Sequence, residues 1–206
     1  MDSILFDLDG TMWDTTEVAA MIWSRIASEY PDVRETVTAA RLRSLYGLPL
    51  REIAKELFPG VSEERAISIT MRCVTEQCPY LTEHGAILLG DIAGTLQKLS
   101  ARYRLFVVSN CEDGYIQAFL TAHRLWDYFT DFTCPGQTGL LKAENIRLIV
   151  DRYHLQAPLY VGDTYGDQTA AEKADVPFAF AAYGFGTATR YDYRLNSFED
   201  LTTLFL

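Results

Sequence analysis

Asp7 and Asp9 stand two residues apart, directly after the apolar run Ile4-Leu5-Phe6 and directly before Gly10-Thr11. On a regular strand that spacing sets both carboxylates on one face. Paired carboxylates at a strand end raise each other's pKa unless a cation neutralises them. Mg²⁺, a hard cation that takes oxygen ligands, suits that role. Gly10 lets the backbone turn sharply and approach a ligand. An EF-hand reading of the same residues fails, because that loop wants Gly at its sixth place and Glu at its twelfth, where Met12 and Val18 stand.

Three more groups fall at comparable places. The run Leu105-Phe106-Val107-Val108 ends in Ser109-Asn110, ahead of a helix expected to begin near Gly114. A hydroxyl and backbone N–H groups at a helix start suit a phosphate. The run Leu159-Tyr160-Val161 ends in Gly162-Asp163, with Asp167 four residues on. Lys142 opens the helix before that strand, after a loop containing Gly136 and Gly139. Each element alone has an ordinary explanation: turn chemistry for Ser-Asn, an N-cap for Gly-Asp, a solvated charge for Lys142. Their order along the chain, each at a strand end or in the loop beside one, points to a shared crevice. That crevice would gather four carboxylates (Asp7, Asp9, Asp163, Asp167), a hydroxyl, an amide and one cation.

The elements that must position these groups follow from the hydrophobic pattern. Ile4–Phe6, Leu105–Val108, Leu159–Val161 and Phe178–Phe180 are apolar throughout, as strands covered by helices on both faces must be. Helical spacing lies between them, at Ile92, Leu96 and Leu99, at Ile116, Phe119 and Leu120, and at Ile146, Ile149 and Val150. An Ala-rich stretch from Gly166 to Ala174 favours another helix. Alternating strands and helices predict an α/β fold, a doubly wound, Rossmann-like parallel sheet. Its ligand crevice lies beyond the C-terminal strand ends.

The stretch 14–84 breaks the alternation, since it shows helical patterns and no clear strand. Val18, Ile22 and Ile26 mark a first helix, and Leu42 and Leu45 a second that stops at Gly47-Leu48-Pro49. Ile53, Leu57 and Phe58 mark a third. A fourth, capped by Ser62 with Glu63 and Glu64 at its positive end, runs to about Cys78. So long a connection is not a linker. It predicts a helical cap subdomain, 14–84, inserted into an α/β core made of 1–13 and 85–206. Arg43, Tyr46 and Arg51 flank the Gly47-Leu48-Pro49 turn and are candidates for substrate choice from the cap.

At this point the residues resemble the haloacid dehalogenase superfamily in its phosphatase branch. Asp7-Leu8-Asp9-Gly10-Thr11 is similar to that family's first motif, Ser109-Asn110 to its second, Lys142 to its third, and Gly162-Asp163 with Asp167 to its fourth. The resemblance covers nearly the whole chain. The nearest pattern is the phosphoglycolate phosphatase-like group with a cap after the first motif, from which Met12-Trp13 and Cys111 depart at the pocket rim. It implies a Mg²⁺-dependent phosphatase working through an aspartyl-phosphate. Asp7 would be the nucleophile and Asp9 the acid and base. Ser109, Asn110 and Gly10 would hold the phosphoryl group, and Lys142 would balance charge. Asp7, Asp9 through its carbonyl, Asp163 and Asp167 would surround the metal. A phosphomutase of the β-phosphoglucomutase type is the alternative. The dehalogenases need no metal and lack the Asp9 role. A catalytically silent phosphate-binding module would be expected to have lost Asp7, Asp9, Lys142 or Asp163.

Composition narrows the partners. The 206 residues carry 18 Lys+Arg against 28 Asp+Glu, a formal charge of −10, which argues against a nucleic-acid backbone as partner. A small phosphorylated metabolite would need the local help of the metal and Lys142. Nothing approaches the ~20 apolar residues of a membrane span, and the run Met1–Gly10 has no basic n-region of the secretory kind. Cys73, Cys78, Cys111 and Cys134 form no CxxC pair and read as reduced thiols of a cytoplasmic protein. The expected protein is a monomer or homodimer.

Overall fold

The computed structural model describes residues 1–206. In chain order its elements are β1 (Ser3–Phe6), β2 (Trp13–Asp14), α1 (Thr16–Ala27), α2 (Ala39–Leu45), α3 (Leu50–Leu57), α4 (Glu63–His84) and β3 (Ile87–Leu88). There follow α5 (Ile92–Ser100), β4 (Arg104–Val108), α6 (Tyr115–Ala122), β5 (Asp131–Thr133), α7 (Pro135–Thr138) and α8 (Lys142–Arg152). The chain ends with β6 (Pro158–Gly162), α9 (Tyr165–Ala174), β7 (Phe178–Ala181), β8 (Tyr193–Leu195) and α10 (Asp200–Phe205).

Six strands form one parallel sheet in the order β5-β4-β1-β6-β7-β8. β1 lies between β4 and β6, with Leu5 beside both Phe106 and Tyr160. Strand order runs one way from β1 through β4 to β5, then reverses from β6 outward. The loops after β1, β4 and β6 therefore meet at the switch point, where an open α/β sheet holds its ligand.

Alternation along the strands separates two cores. Ile4, Phe6, Leu105, Val107, Leu159 and Val161 join the apolar cluster on one face. Leu5, Phe106, Val108, Tyr160, Phe178 and Phe180 join the cluster on the other. A third cluster belongs to the helices α1–α4, where Trp23, Ile26, Leu42, Ile53, Phe58, Ile69 and Cys73 are buried together. The chain enters these helices after β2 and leaves them before β3, and the two short strands pair antiparallel, Trp13 opposite Leu88. No helix is long and apolar enough to cross a membrane.

Two expectations need correction. α4 does not stop near Cys78 but passes through Pro79 to His84. An interior proline costs a helix about 3 kcal/mol. The final turn is anchored instead by Leu81, which is fully buried in the main core, and by Gly85, whose φ of +67° ends the helix. Second, β5 and β8 were not expected. They form the two edges of the sheet and are only three residues long each, too short and too mixed in polarity to show a pattern.

Candidate active site

β1 ends at Phe6, so Asp7 and Asp9 lie on the turn beyond it and not on the strand. Met12 N–H donates to the Leu8 carbonyl at 2.8 Å and Gly10 N–H to the Trp13 carbonyl at 2.9 Å. Gly10 holds φ at +78°, and a Cβ there would lie 2.3 Å from a carboxylate oxygen of Asp163. Only glycine fits this position. The turn sends the two aspartates different ways, which corrects the expected side-by-side pair. Asp7 is buried against Asp163 and Asp167, and one carboxylate oxygen of each lies within 4.8 Å of the others. Asp9 accepts from the Tyr115 hydroxyl at 2.8 Å and the Thr15 hydroxyl at 3.2 Å.

Lys142 stands between two of the clustered acids. Its ammonium is 2.9 Å from Asp7 and 2.6 Å from Asp167, and its side chain is 5% exposed. Leu141 N–H, just before it, donates to the Glu144 carboxylate at 2.8 Å, which fixes the helix start. Asp167 also accepts from the Thr164 N–H at 2.9 Å and from the Thr164 and Tyr160 hydroxyls. Asp163 accepts from the N–H groups of Phe185 and Gly186 and from the Thr11 hydroxyl. Ser109 is buried beside them at the end of β4.

The electrostatics follow from burial. Burial, with Asp167 adding repulsion, lifts Asp7 to about 6 against the pull of Lys142 and the Ser109 hydroxyl. Asp163 is raised well above an ordinary carboxyl by burial and by its neighbours Asp167 and Asp7. Asp167 is lowered, because Lys142 and the Thr164 hydrogen bonds outweigh its burial. Burial would lower Lys142, but the carboxylates of Asp167 and Asp7 overcome this and raise it. Asp9 is lifted to about 7, mainly by burial, although the Tyr115 hydrogen bond opposes this.

The donor set fits a divalent metal. Three buried carboxylates converge, yet only one lysine sits among them. Asp7 Oδ1 has the Lys142 ammonium at 2.9 Å, and no other protein donor is aligned on it. All-oxygen donors suit a hard cation.

The other expected residues divide. The Asn110 amide donates to the Gly47 carbonyl at 2.9 Å and so ties the loop after β4 to the α2–α3 turn. Tyr46 reaches the site, where its hydroxyl lies 3.3 Å from that of Thr15. Arg43 is paired with Asp14 at 2.6 Å and lies over the Phe185 ring. Arg51 is not brought in, since it is 72% exposed and paired with Glu63 at the start of α4. An adjacent opposite charge on the next helix captures it.

Sequence reasoning passed over Thr15, Tyr115, Trp23, Gln77 and Glu112. Trp23, Tyr46, Gln77, Glu112, Tyr115 and Asp9 line one cavity of about 50 Å³ between the helices α1–α4 and the loop after β4. The only local signal for Tyr115 was its place at the start of α6.

A family model of haloacid dehalogenase-like hydrolases matches residues 4–181. The chain belongs to the haloacid dehalogenase-like hydrolases. A family hydrolase of Streptococcus pneumoniae shares the fold at a TM-score of 0.84 and 19% identity, over 100% of this chain and 99% of that one. A "predicted phosphoglycolate phosphatase" of Haemophilus somnus gives 0.86 and 19%, over 100% and 98%. A β-phosphoglucomutase of Clostridium difficile gives 0.75 and 16%, over 98% and 93%. No curated protein matches the sequence. At these identities the likeness is one of fold, the Rossmann-like α/β fold of haloacid dehalogenase-like hydrolases with its parallel six-stranded sheet.

Proposed function

We propose that this haloacid dehalogenase-like hydrolase is a Mg²⁺-dependent phosphatase of small phosphorylated metabolites, acting through an aspartyl-phosphate. The observation that carries this reading is the division of labour between the two motif aspartates. Asp7 lies among acids and a lysine, and Asp9 lies apart, hydrogen-bonded to Tyr115 and facing the cavity.

Asp7 attacks phosphorus through a carboxylate oxygen and releases the leaving alcohol. Asp9, lifted to about 7 by burial, retains a proton near neutral pH and gives it to the leaving oxygen. It then takes one from the water that hydrolyses the acyl phosphate. Lys142 holds Asp7 in line and offsets the negative charge of the phosphoryl group. Ser109 and Asn110 orient phosphoryl oxygens, as positioning and charge stabilisation dominate this reaction. The Asp7 and Asp163 carboxylates and the Asp9 carbonyl, with Asp167 beside them, would hold the metal, which would supply charge neutralisation between the nucleophile and the phosphate.

The helices of 14–84 act as a cap over this site. The Gly47 turn reaches both Asn110 and Thr164, where a Cβ at Gly47 would lie 3.0 Å from the Thr164 methyl. Closure there excludes bulk water from the acyl phosphate.

Phosphate release from p-nitrophenyl phosphate tests the reading. It is expected with Mg²⁺, to be lost on chelation, and to be abolished in Asp7→Asn. Equal turnover by Asp7→Asn and the native protein would rule out the nucleophile. Conversion of a hexose 1-phosphate to the 6-phosphate without phosphate release would favour a phosphomutase.

A further inference from the structure

The cavity beside Asp9 lies where the leaving alcohol of the proposed reaction must sit, and its polar groups make an unusual pair. Gln77 on α4 is 3% exposed. Its amide oxygen accepts from the Trp23 indole N–H at 2.6 Å. An indole N–H only donates, so the oxygen must face Trp23 and the NH₂ must face the other way. That NH₂ has no hydrogen-bond partner in the protein, and Gln77 lines the cavity. Glu112 lines the same cavity from the loop after β4. It forms no ion pair, and burial together with Asp113 raises its carboxyl above the usual range. No Lys, Arg or His lines the cavity. The nearest cation of the cap turn, Arg43, is held by Asp14.

We propose that this cavity selects a leaving alcohol bearing an uncharged hydroxyl, read jointly by Gln77 and Glu112, and rejects the carboxylate of phosphoglycolate. A hydroxyl both donates and accepts, so it satisfies a carboxylate on one side and an amide NH₂ on the other. A carboxylate has no proton to give Glu112 and meets two acids with no cation to offset them. An ammonium cannot accept from Gln77, so the NH₂ that this side chain turns to the cavity gains no partner from it. The substrate class is therefore the phosphate monoester of a small neutral diol or polyol. This inference rests on the phosphatase reading and goes beyond it to the chemistry of the leaving group.

Three substrates that differ only in the terminal group test it: 2-hydroxyethyl phosphate, 2-phosphoglycolate and phosphoethanolamine. Phosphate release with Mg²⁺ should give kcat/KM for 2-hydroxyethyl phosphate about tenfold or more above each of the others, the size of one buried polar mismatch. Gln77→Glu keeps the acceptor for Trp23 and replaces the donor by a second carboxylate. It should lower kcat/KM for 2-hydroxyethyl phosphate about tenfold, mainly through KM, and raise that for phosphoethanolamine. Glu112→Gln should raise use of 2-phosphoglycolate. Native preference for 2-phosphoglycolate or for phosphoethanolamine would overturn the proposal. So would hydrolysis of p-nitrophenyl phosphate with none of the three cleaved. Failure to cleave p-nitrophenyl phosphate as well would instead bring down the phosphatase reading on which the proposal stands.

Discussion

The strand ends and the space under the helices solve opposite electrostatic problems. At the strand ends three buried acids crowd around one lysine, and nearly every polar atom is answered by a named partner. Under the helices, Trp23, Leu50, Ile53 and Val74 give the cavity much of its apolar wall, and Gln77 and Glu112 stand with polar atoms uncommitted to protein partners. A group already committed to protein partners holds its geometry and can position a reacting phosphoryl group. A group left uncommitted in a buried wall is costly until a ligand satisfies it, and so discriminates among ligands. In the proposed reading, reaction type is carried by the strand ends and selectivity by the cavity wall, which the helices of 14–84 share with the loop after β4.

Removing the lysine is the severest way to break this contrast. Lys142→Met would leave Asp7 and Asp167 facing each other in a buried site. Loss of one partner from a buried pair costs about 3–5 kcal/mol, so the midpoint of denaturant unfolding should fall sharply, and turnover with it. Gln77→Leu, by contrast, should leave Mg²⁺ uptake intact. An unchanged unfolding midpoint for Lys142→Met would mean that the acids are not held by that charge. Next in size is Ser109→Ala. One preorganised donor is worth about 3 kcal/mol at the barrier, so kcat should fall roughly a hundredfold with the same unfolding midpoint. A change confined to KM would place Ser109 outside the phosphoryl site.

The two regions also differ in how far the sequence reveals them. The inner strands are buried on both faces, so their apolar runs stand out, and the acids at their ends are read by position alone. Asp7, Ser109, Lys142, Asp163 and Asp167 do converge as that reading expects. The edge strands β5 and β8 are short and half-covered, and they carry no such mark. The cavity was still less legible. Trp23 and Gln77 are 54 residues apart and belong to different helices, so their contact is a product of helix packing. Arg51 shows the converse failure: its place beside the right turn suggested a role, but Glu63 lies closer to it than the site does. The expected continuity of Asp7 and Asp9 on one strand face failed because β1 ends at Phe6, which leaves both on the turn, with the second carboxylate hydrogen-bonded to Tyr115.

The finest test of the contrast is the dependence of stability on pH and Mg²⁺. Without metal, burial holds Asp7 at about 6 and Asp9 at about 7, and raises Asp163. A carboxyl raised in the folded state stabilises the protein below its unfolded pKa, and that contribution is lost as pH climbs through the folded value. For Asp7 and Asp9 the window therefore runs from about 4, the unfolded value, to about 7, the higher of their two folded values. Asp167 is lowered, so its contribution is present above the unfolded value and disappears only in more acid solution. In chelated protein the melting temperature should accordingly decline between about pH 4 and pH 7. Added Mg²⁺ should recover most of the loss at the alkaline end and little at the acid end, where protons compete for the same oxygens. Asp163→Asn should abolish the recovery, whereas Glu112→Gln, which changes a cavity-wall carboxyl outside the Asp7–Asp163–Asp167 cluster, should preserve it. An equal Mg²⁺ response at both pH values would show that the ion binds elsewhere, and the strand ends would then be a self-neutralised nest of acids around Lys142.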